Sequence, residues 1–69
     1  MRVIINGEGR ALQPGATVAD VVRSLDLGSD ARGVAVALDG EVVIRGEWTS
    51  TVLSEDARIE VLGAIGGGR

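Results

Sequence analysis

The chain has 69 residues, a net charge of −3 and 45% hydrophobic residues, of which only Trp48 is aromatic. This composition predicts one small globular domain with an aliphatic core. It contains neither cysteine nor histidine, which excludes disulfides, the usual zinc and iron–sulfur ligands, and catalysis by a Cys or His side chain. The excess of acidic residues argues against nucleic-acid binding. No apolar run reaches membrane-spanning or signal-peptide length. We therefore expect a cytoplasmic protein with no membrane partner.

The first residues predict a β-hairpin. Met1–Ile5 is a β-branched run typical of a strand. Asn6-Gly7 is typical of a hairpin turn, because both residues tolerate positive φ angles. Arg10–Gln13 then predicts the second strand.

One amphipathic helix follows the hairpin. Thr17 is a favourable N-cap, and Asp20 three residues later completes a variant of the capping box. We expect about three turns, ending before a C-terminal glycine at Gly28. The helix carries one apolar stripe, formed by Val18, Val21, Val22 and Leu25.

Two further strands are expected after the helix. Val34–Leu38 predicts a strand in which the small Ala35 and Ala37 share one face, so that this face is shallow. Asp39-Gly40 indicates a second hairpin turn. Glu41–Arg45 predicts the fourth strand.

The last third combines irregular chain with a final strand. We expect Gly46–Thr51 to be irregular, with Trp48 at the core edge and its N–H near water or a backbone acceptor. Val52-Leu53 predicts a brief strand or helical turn, and Ser54–Ala57 a turn. Arg58–Ile65 predicts the last strand.

This order, β-β-α-β-β-β, predicts an α+β fold in which a mixed sheet of four to five strands buries the stripe of a single helix. That is the β-grasp, or ubiquitin-like, arrangement. We expect the β-grasp domain to cover residues 1–65 and a flexible glycine tail to cover residues 66–69.

The chain offers no catalytic set of side chains, so we expect no enzyme activity of its own. Its Ser and Thr residues have no His or Lys base. Glu55 and Asp56 are adjacent, and adjacent side chains would point apart if the segment were extended, which favours a solvated loop over a metal site. The glycines do not precede a helix, so they form no phosphate loop.

The remaining candidate is the glycine run Gly66-Gly67-Gly68. Glycines have the least bulk and the widest conformational range. Such a run is suited to passing a carboxylate through a narrow channel into another protein's active site, where adenylation makes it reactive toward a sulfur nucleophile.

In order and spacing, several segments resemble the ThiS family, the small sulfur carriers of thiamin biosynthesis. The resemblance covers nearly the whole chain and is most specific around Trp48. It is carried by Val3–Glu8, Pro14–Val18 with Leu25, Val34–Asp39, Glu41–Trp48, Ile59–Val61 and Ile65–Gly68.

The resemblance implies a β-grasp fold and a chain that binds no cofactor and acts as a protein co-substrate. A ThiF- or MoeB-like adenylyltransferase, using ATP and Mg²⁺, would adenylate the terminal glycine. Sulfur drawn from cysteine through a desulfurase would convert it to a thiocarboxylate. The thiocarboxylate would deliver that sulfur to a ThiG-like thiazole synthase.

Two positions depart from the family pattern. Ile44 stands where the family usually has proline. Arg69 follows the glycines, whereas family members end at glycine. We therefore expect attachment at the carboxyl group of Gly68 after a peptidase removes Arg69, unless Arg69 is tolerated or foreign to the native chain.

We expect the partner to bind the sheet face away from the helix. The alternation of the last strand places Leu62 and Ala64 there, next to Ile65 and the tail. An exposed apolar patch at that place would be a docking site. Ordinary burial of Leu62 is the alternative.

The sequence is also compatible with other functions. A MoaD-like small subunit of molybdopterin synthase would share the fold and the terminal glycines, although such proteins are usually longer and more aromatic. A carrier of sulfur for cysteine or a secondary metabolite would have the same features. A ubiquitin-like binding module would use no tail chemistry.

Overall fold

The computed structural model describes residues 1–25 and 33–63. In this part of the chain, one helix covers one face of a five-stranded mixed sheet. The strand order is β2-β1-β5-β3-β4; β1 and β5 are parallel, and the other pairs are antiparallel. The elements are β1 (Arg2–Ile5), β2 (Glu8–Ala11), α1 (Val18–Ser24), β3 (Val34–Leu38), β4 (Glu41–Val43), a 3₁₀ helix (Arg45–Glu47) and β5 (Arg58–Gly63). The predicted fold class and element order are confirmed.

The first hairpin turns as predicted, but its second strand begins earlier. Asn6 and Gly7 have φ angles of 50° and 85°. Because the turn has only these two residues, pairing resumes at once, with Ile5 opposite Glu8. The prediction that β2 begins at Arg10 was therefore two residues late.

The helix has the predicted cap and is shorter than predicted. The Thr17 hydroxyl accepts from the Asp20 N–H, and the Asp20 carboxylate accepts from the Thr17 N–H. The helix ends at Ser24, where the Leu25 N–H closes the last turn on Val22. This gives two turns instead of the expected three, and Gly28, the predicted C-terminal glycine, lies outside the described residues.

The capping interaction predicts a pH effect. The backbone N–H of Thr17, followed by its hydroxyl and Arg23, lowers the pKa of Asp20. The stabilisation that the ionised Asp20 carboxylate contributes is therefore present above the unfolded pKa of about 3.9. It is lost as the pH falls through the lower folded pKa. We expect Asp20→Asn to be less stable than the parent chain near neutral pH and to lose less stability on acidification.

Urea unfolding followed by Trp48 fluorescence, at a neutral pH and at several acidic ones, measures this difference. Equal pH dependence for the two chains would contradict the assigned role of Asp20.

The core lies between α1 and the sheet and is aliphatic apart from Trp48, as predicted. Trp48 is buried, and its indole N–H donates to the carbonyl of Val43 at 2.9 Å. Arg45 lies over the indole ring, 5.4 Å from its centroid. The buried hydrophobic residues are Val3, Ile5, Val18, Val21, Val22, Val36, Val43, Trp48, Leu53, Ala57, Ile59 and Val61.

The segment after β3 differs from the prediction. β4 ends at Val43 instead of Arg45, and a 3₁₀ helix begins at Arg45. This helix brings Trp48 back over the end of β4, where its N–H meets the Val43 carbonyl. Val52 forms an isolated bridge with Thr17, which fits the predicted brief strand. No helix in residues 1–25 and 33–63 is long and apolar enough to cross a membrane.

Candidate functional site

Alternation along β5 separates two faces of the sheet. Ile59 and Val61 are buried toward α1, whereas Glu60 and Leu62 are exposed on the opposite side. We call that opposite side the open face. Because β5 is the central strand, its open face has neighbours on both sides.

The register of β3 and β4 determines which residues surround Leu62. Leu62 lies opposite Ala35, and Glu60 lies opposite Ala37, which in turn lies opposite Val42. Directly opposed residues share a face, so all five belong to the open face. We call Leu62, Ala35, Ala37 and Val42 the apolar patch.

The apolar patch is accessible and shallow at its centre. Leu62 is 71% exposed and Val42 is 76% exposed. They are separated by two strand spacings, about 10 Å, across the sheet and by two residues, about 7 Å, along the strands. The alanines of β3 between them leave a depression because their side chains are short. An accessible apolar surface of this kind is typical of a protein-binding site.

Charged side chains border this apolar centre. Glu60 lies beside Ala37 on the open face, and Arg58 precedes Glu60 by two residues. Arg58 lies opposite Ile4 of β1. An apolar centre with a charged margin matches the organisation of protein interfaces.

The structure places only part of the predicted site. Leu62 lies exposed on the face away from the helix, as the alternation predicted, and its ordinary burial is excluded. That a partner binds Leu62 stays a prediction. The other predicted site residues, Ala64, Ile65, Gly66, Gly67, Gly68 and Arg69, lie outside the described residues and also remain predictions.

Side chains of the described residues do not form a metal centre, since residues 1–25 and 33–63 contain no cluster of three or more potential ligands. The acidic pair Glu55 and Asp56 has a structural role instead. The Glu55 carboxylate accepts from the Arg2 N–H at 3.3 Å, and the Asp56 N–H donates to the Arg2 carbonyl at 2.7 Å. These contacts fasten the loop before β5 to the start of β1.

Sequence reasoning assigned no binding role to Val42. It follows Glu41 and precedes Val43, and two adjacent valines do not reveal which of them is buried. The pairing of β4 with β3 determines which valine is buried. Val43 lies opposite the buried Val36, so Val42 faces outward. The signal available in the sequence was the pair of small residues in β3, Ala35 and Ala37, which predicted a shallow face.

Ile44 has a backbone conformation that proline would also adopt, in agreement with the proline that the resemblance implies for this position. Its φ is −69° and its ψ is 150°. Proline fixes φ near this value and favours such extended geometry. Ile44 is also 62% exposed, so its side chain adds apolar surface next to the end of β4.

Three comparisons relate the chain to known proteins. The model of the ThiS family matches residues 3–68. The thiazole synthase of Magnetococcus marinus is 38% identical over 69 residues, which are 100% of this chain and 21% of that protein. The thiazole synthase of Paramagnetospirillum magneticum is 32% identical over 68 residues, 99% of this chain and 20% of that protein. The chain therefore spans about a fifth of the length of these curated relatives.

Solved structures give the same assignment of fold. The crystal structure of the thiamine biosynthesis protein ThiS from Geobacter metallireducens superimposes with a TM-score of 0.78 at 25% identity, covering 91% of this chain and 93% of that chain. The solution structure of a thiamine biosynthesis protein from the same organism gives a TM-score of 0.72 at 25% identity, covering 90% of this chain and 81% of that chain.

Proposed function

The chain belongs to the ThiS family, and on that premise we propose that it is a sulfur carrier for thiazole formation in thiamin biosynthesis. The observation that carries the proposal is the extent of the family match. It runs from residue 3 to residue 68 and so includes both the sheet with its apolar patch and the three glycines. The patch supplies a docking surface, and the glycines supply a slender reactive end.

The proposed chemistry takes place at the carboxyl group of Gly68. A carboxylate is a poor electrophile until a partner activates it. A ThiF- or MoeB-like adenylyltransferase would join the carboxylate to the α-phosphate of ATP, with Mg²⁺, and release pyrophosphate. A desulfurase would pass the cysteine sulfur on as a persulfide, whose terminal sulfur would displace AMP and form an acyl disulfide. A thiol reductant would then cleave the sulfur–sulfur bond and leave the thiocarboxylate. The chain itself holds no cofactor and acts as a co-substrate.

We propose a ThiG-like thiazole synthase as the acceptor of the sulfur. Two thiazole synthases each contain a segment similar to essentially the whole of this chain. Joining a carrier-like segment to a synthase keeps donor and acceptor at high effective concentration. The apolar patch offers a surface for contact between the carrier and its acceptor. The chain has no cysteine, which suits the reducing cytoplasm in which this proposal places it.

Arg69 has to be removed in this scheme. If it stays, the terminal carboxylate belongs to a bulky cationic residue in place of a glycine. We propose that a peptidase cleaves the bond between Gly68 and Arg69 before adenylation. Glycine has no side chain, so Gly68 itself presents little steric hindrance to such cleavage.

Intact mass spectrometry tests the proposal. The chain is isolated from its native cells and analysed directly, and a chain that ends at Gly68 is incubated with ATP, Mg²⁺, a desulfurase, a ThiF-like adenylyltransferase and cysteine, which serves as sulfur source and thiol reductant. We expect a species ending at Gly68 whose mass has increased by the exchange of one oxygen for sulfur. The same increase on molecules that retain Arg69 would overturn the trimming step. The absence of any sulfur-bearing species would overturn the carrier function.

A further inference from the structure

On the side that pairs with β1, β5 continues past the end of its neighbour. The last residue of β1, Ile5, lies opposite Ile59, whereas β5 runs on to Gly63. The chain leaves β1 at Asn6 and turns into the first hairpin. The backbone N–H and C=O of Val61 on that side therefore need a partner other than a strand.

The side chain of Asn6 supplies that partner. Its Oδ1 accepts from the Val61 N–H at 2.8 Å, and its Nδ2 donates to the Val61 carbonyl at 3.3 Å. The backbone N–H of Asn6 donates to the Ile59 carbonyl at 2.9 Å. The carboxamide thus pairs with Val61 in the way that the backbone of another strand residue would.

Asparagine meets two requirements at this position. The φ angle of Asn6 is 50°, in the left-handed region that Asn and Asp tolerate better than other non-glycine residues. Pairing with both polar groups of Val61 needs a donor and an acceptor on one short side chain. Aspartate has no donor when ionised, and glycine has no side chain.

The second hairpin provides a matched counterpart at the other end of β5. Asp39 also has a φ of 50° and also precedes a glycine, Gly40. Its Oδ1 accepts from the Arg58 N–H at 2.9 Å. Asp39 therefore holds the start of β5, and Asn6 holds the part that precedes Leu62 and the glycine tail.

We propose that Asn6 is a positioning residue for the chemistry at the glycine tail, an inference that rests on the proposed function. Its carboxamide keeps β5 extended past the end of β1, so that the chain leaves the sheet at a fixed point beside the apolar patch. With the patch docked on the adenylyltransferase, this point fixes the starting position of the segment that carries the reactive carboxyl group. Small displacements of reacting groups are costly in rate.

The matched pair of variants is Asn6→Gly and Asp39→Gly. Glycine accepts the φ angle at both positions, and each change removes the side-chain hydrogen bonding to β5 from one hairpin. With a ThiF-like adenylyltransferase and chains that end at Gly68, we expect Asn6→Gly to lower the kcat of adenylation about tenfold, with KM for the carrier little changed because the patch is intact. We expect Asp39→Gly to change neither parameter. Amide hydrogen exchange should quicken at Val61 in the first variant and at Arg58 in the second.

Each outcome decides a different point. Equal kcat values for the two variants, with the unchanged chain active, would overturn the positioning role alone. No adenylation of the otherwise unchanged chain that ends at Gly68 would overturn the proposed function and this inference with it. If Asn6→Gly does not fold, as judged by Trp48 fluorescence, Asn6→Asp replaces it. That variant keeps the acceptor for Val61 and should show a smaller decrease in kcat, and an unchanged kcat would overturn the role.

Discussion

A chain that stops at Gly66 is expected to be adenylated at least about 100-fold more slowly than a chain that stops at Gly68. The carboxyl group then has two residues fewer behind it, which shortens its reach by about 7 Å. The domain should remain folded, with a free energy of unfolding within about 0.5 kcal/mol of the parent chain, since the described core ends with β5. Pyrophosphate release in the presence of a ThiF-like adenylyltransferase measures the activity, and urea unfolding measures the stability.

A chain lacking only Arg69 is the matched control for this deletion. It presents the carboxyl group of Gly68 directly, so we expect it to be adenylated, whereas the full sequence should not be adenylated until Arg69 is removed. If the chain ending at Gly66 were adenylated as rapidly as this control, the proposed attachment at Gly68 would be wrong. If neither were adenylated and both still bound a partner, the chain would be a binding module without tail chemistry.

Leu62→Glu is expected to weaken binding to the adenylyltransferase about 100-fold or more. Burying a leucine side chain contributes about 2 kcal/mol, and an unpaired carboxylate in the interface adds a further desolvation cost. The free energy of unfolding should change by no more than about 0.5 kcal/mol, because Leu62 is 71% exposed in the free domain. Isothermal titration calorimetry measures the affinity.

Val52→Glu is the control for this substitution. Val52 is also a large apolar residue, 61% exposed, but it lies outside the sheet, where it bridges to Thr17. It should leave the affinity unchanged. Similar losses for both variants would show that the apolar patch is not the docking surface, and unfolding of Leu62→Glu would assign Leu62 a structural role instead.

Much of the local structure could be predicted because its causes lie within a few residues. The capping pair Thr17 and Asp20, and the turns at Asn6-Gly7 and Asp39-Gly40, depend on local side-chain chemistry and φ preferences. The bounds of β3 agreed with the prediction for the same reason, since a glycine at position 33 and the second turn enclose it.

Boundaries were less predictable wherever a distant contact ends an element. β4 stops at Val43 because the chain turns into the 3₁₀ helix that returns Trp48 to the Val43 carbonyl. An apolar run through Ile44 continues the strand pattern and contains no sign of that contact. The start of β2 depended on the number of residues in the turn, which the extra glycine at position 9 obscured.

The sequence by itself determined the fold class, the absence of Cys and His chemistry, and the glycine run as the candidate reactive end, because composition and short-range periodicity suffice for these. Only the tertiary structure decided that Leu62, Ala35, Ala37 and Val42 share one accessible face and that Asn6 pairs with Val61. These groupings depend on strand order and register between residues far apart in the chain. A shift of one residue in register would move every side chain of a strand to the opposite face, and no local pattern fixes it.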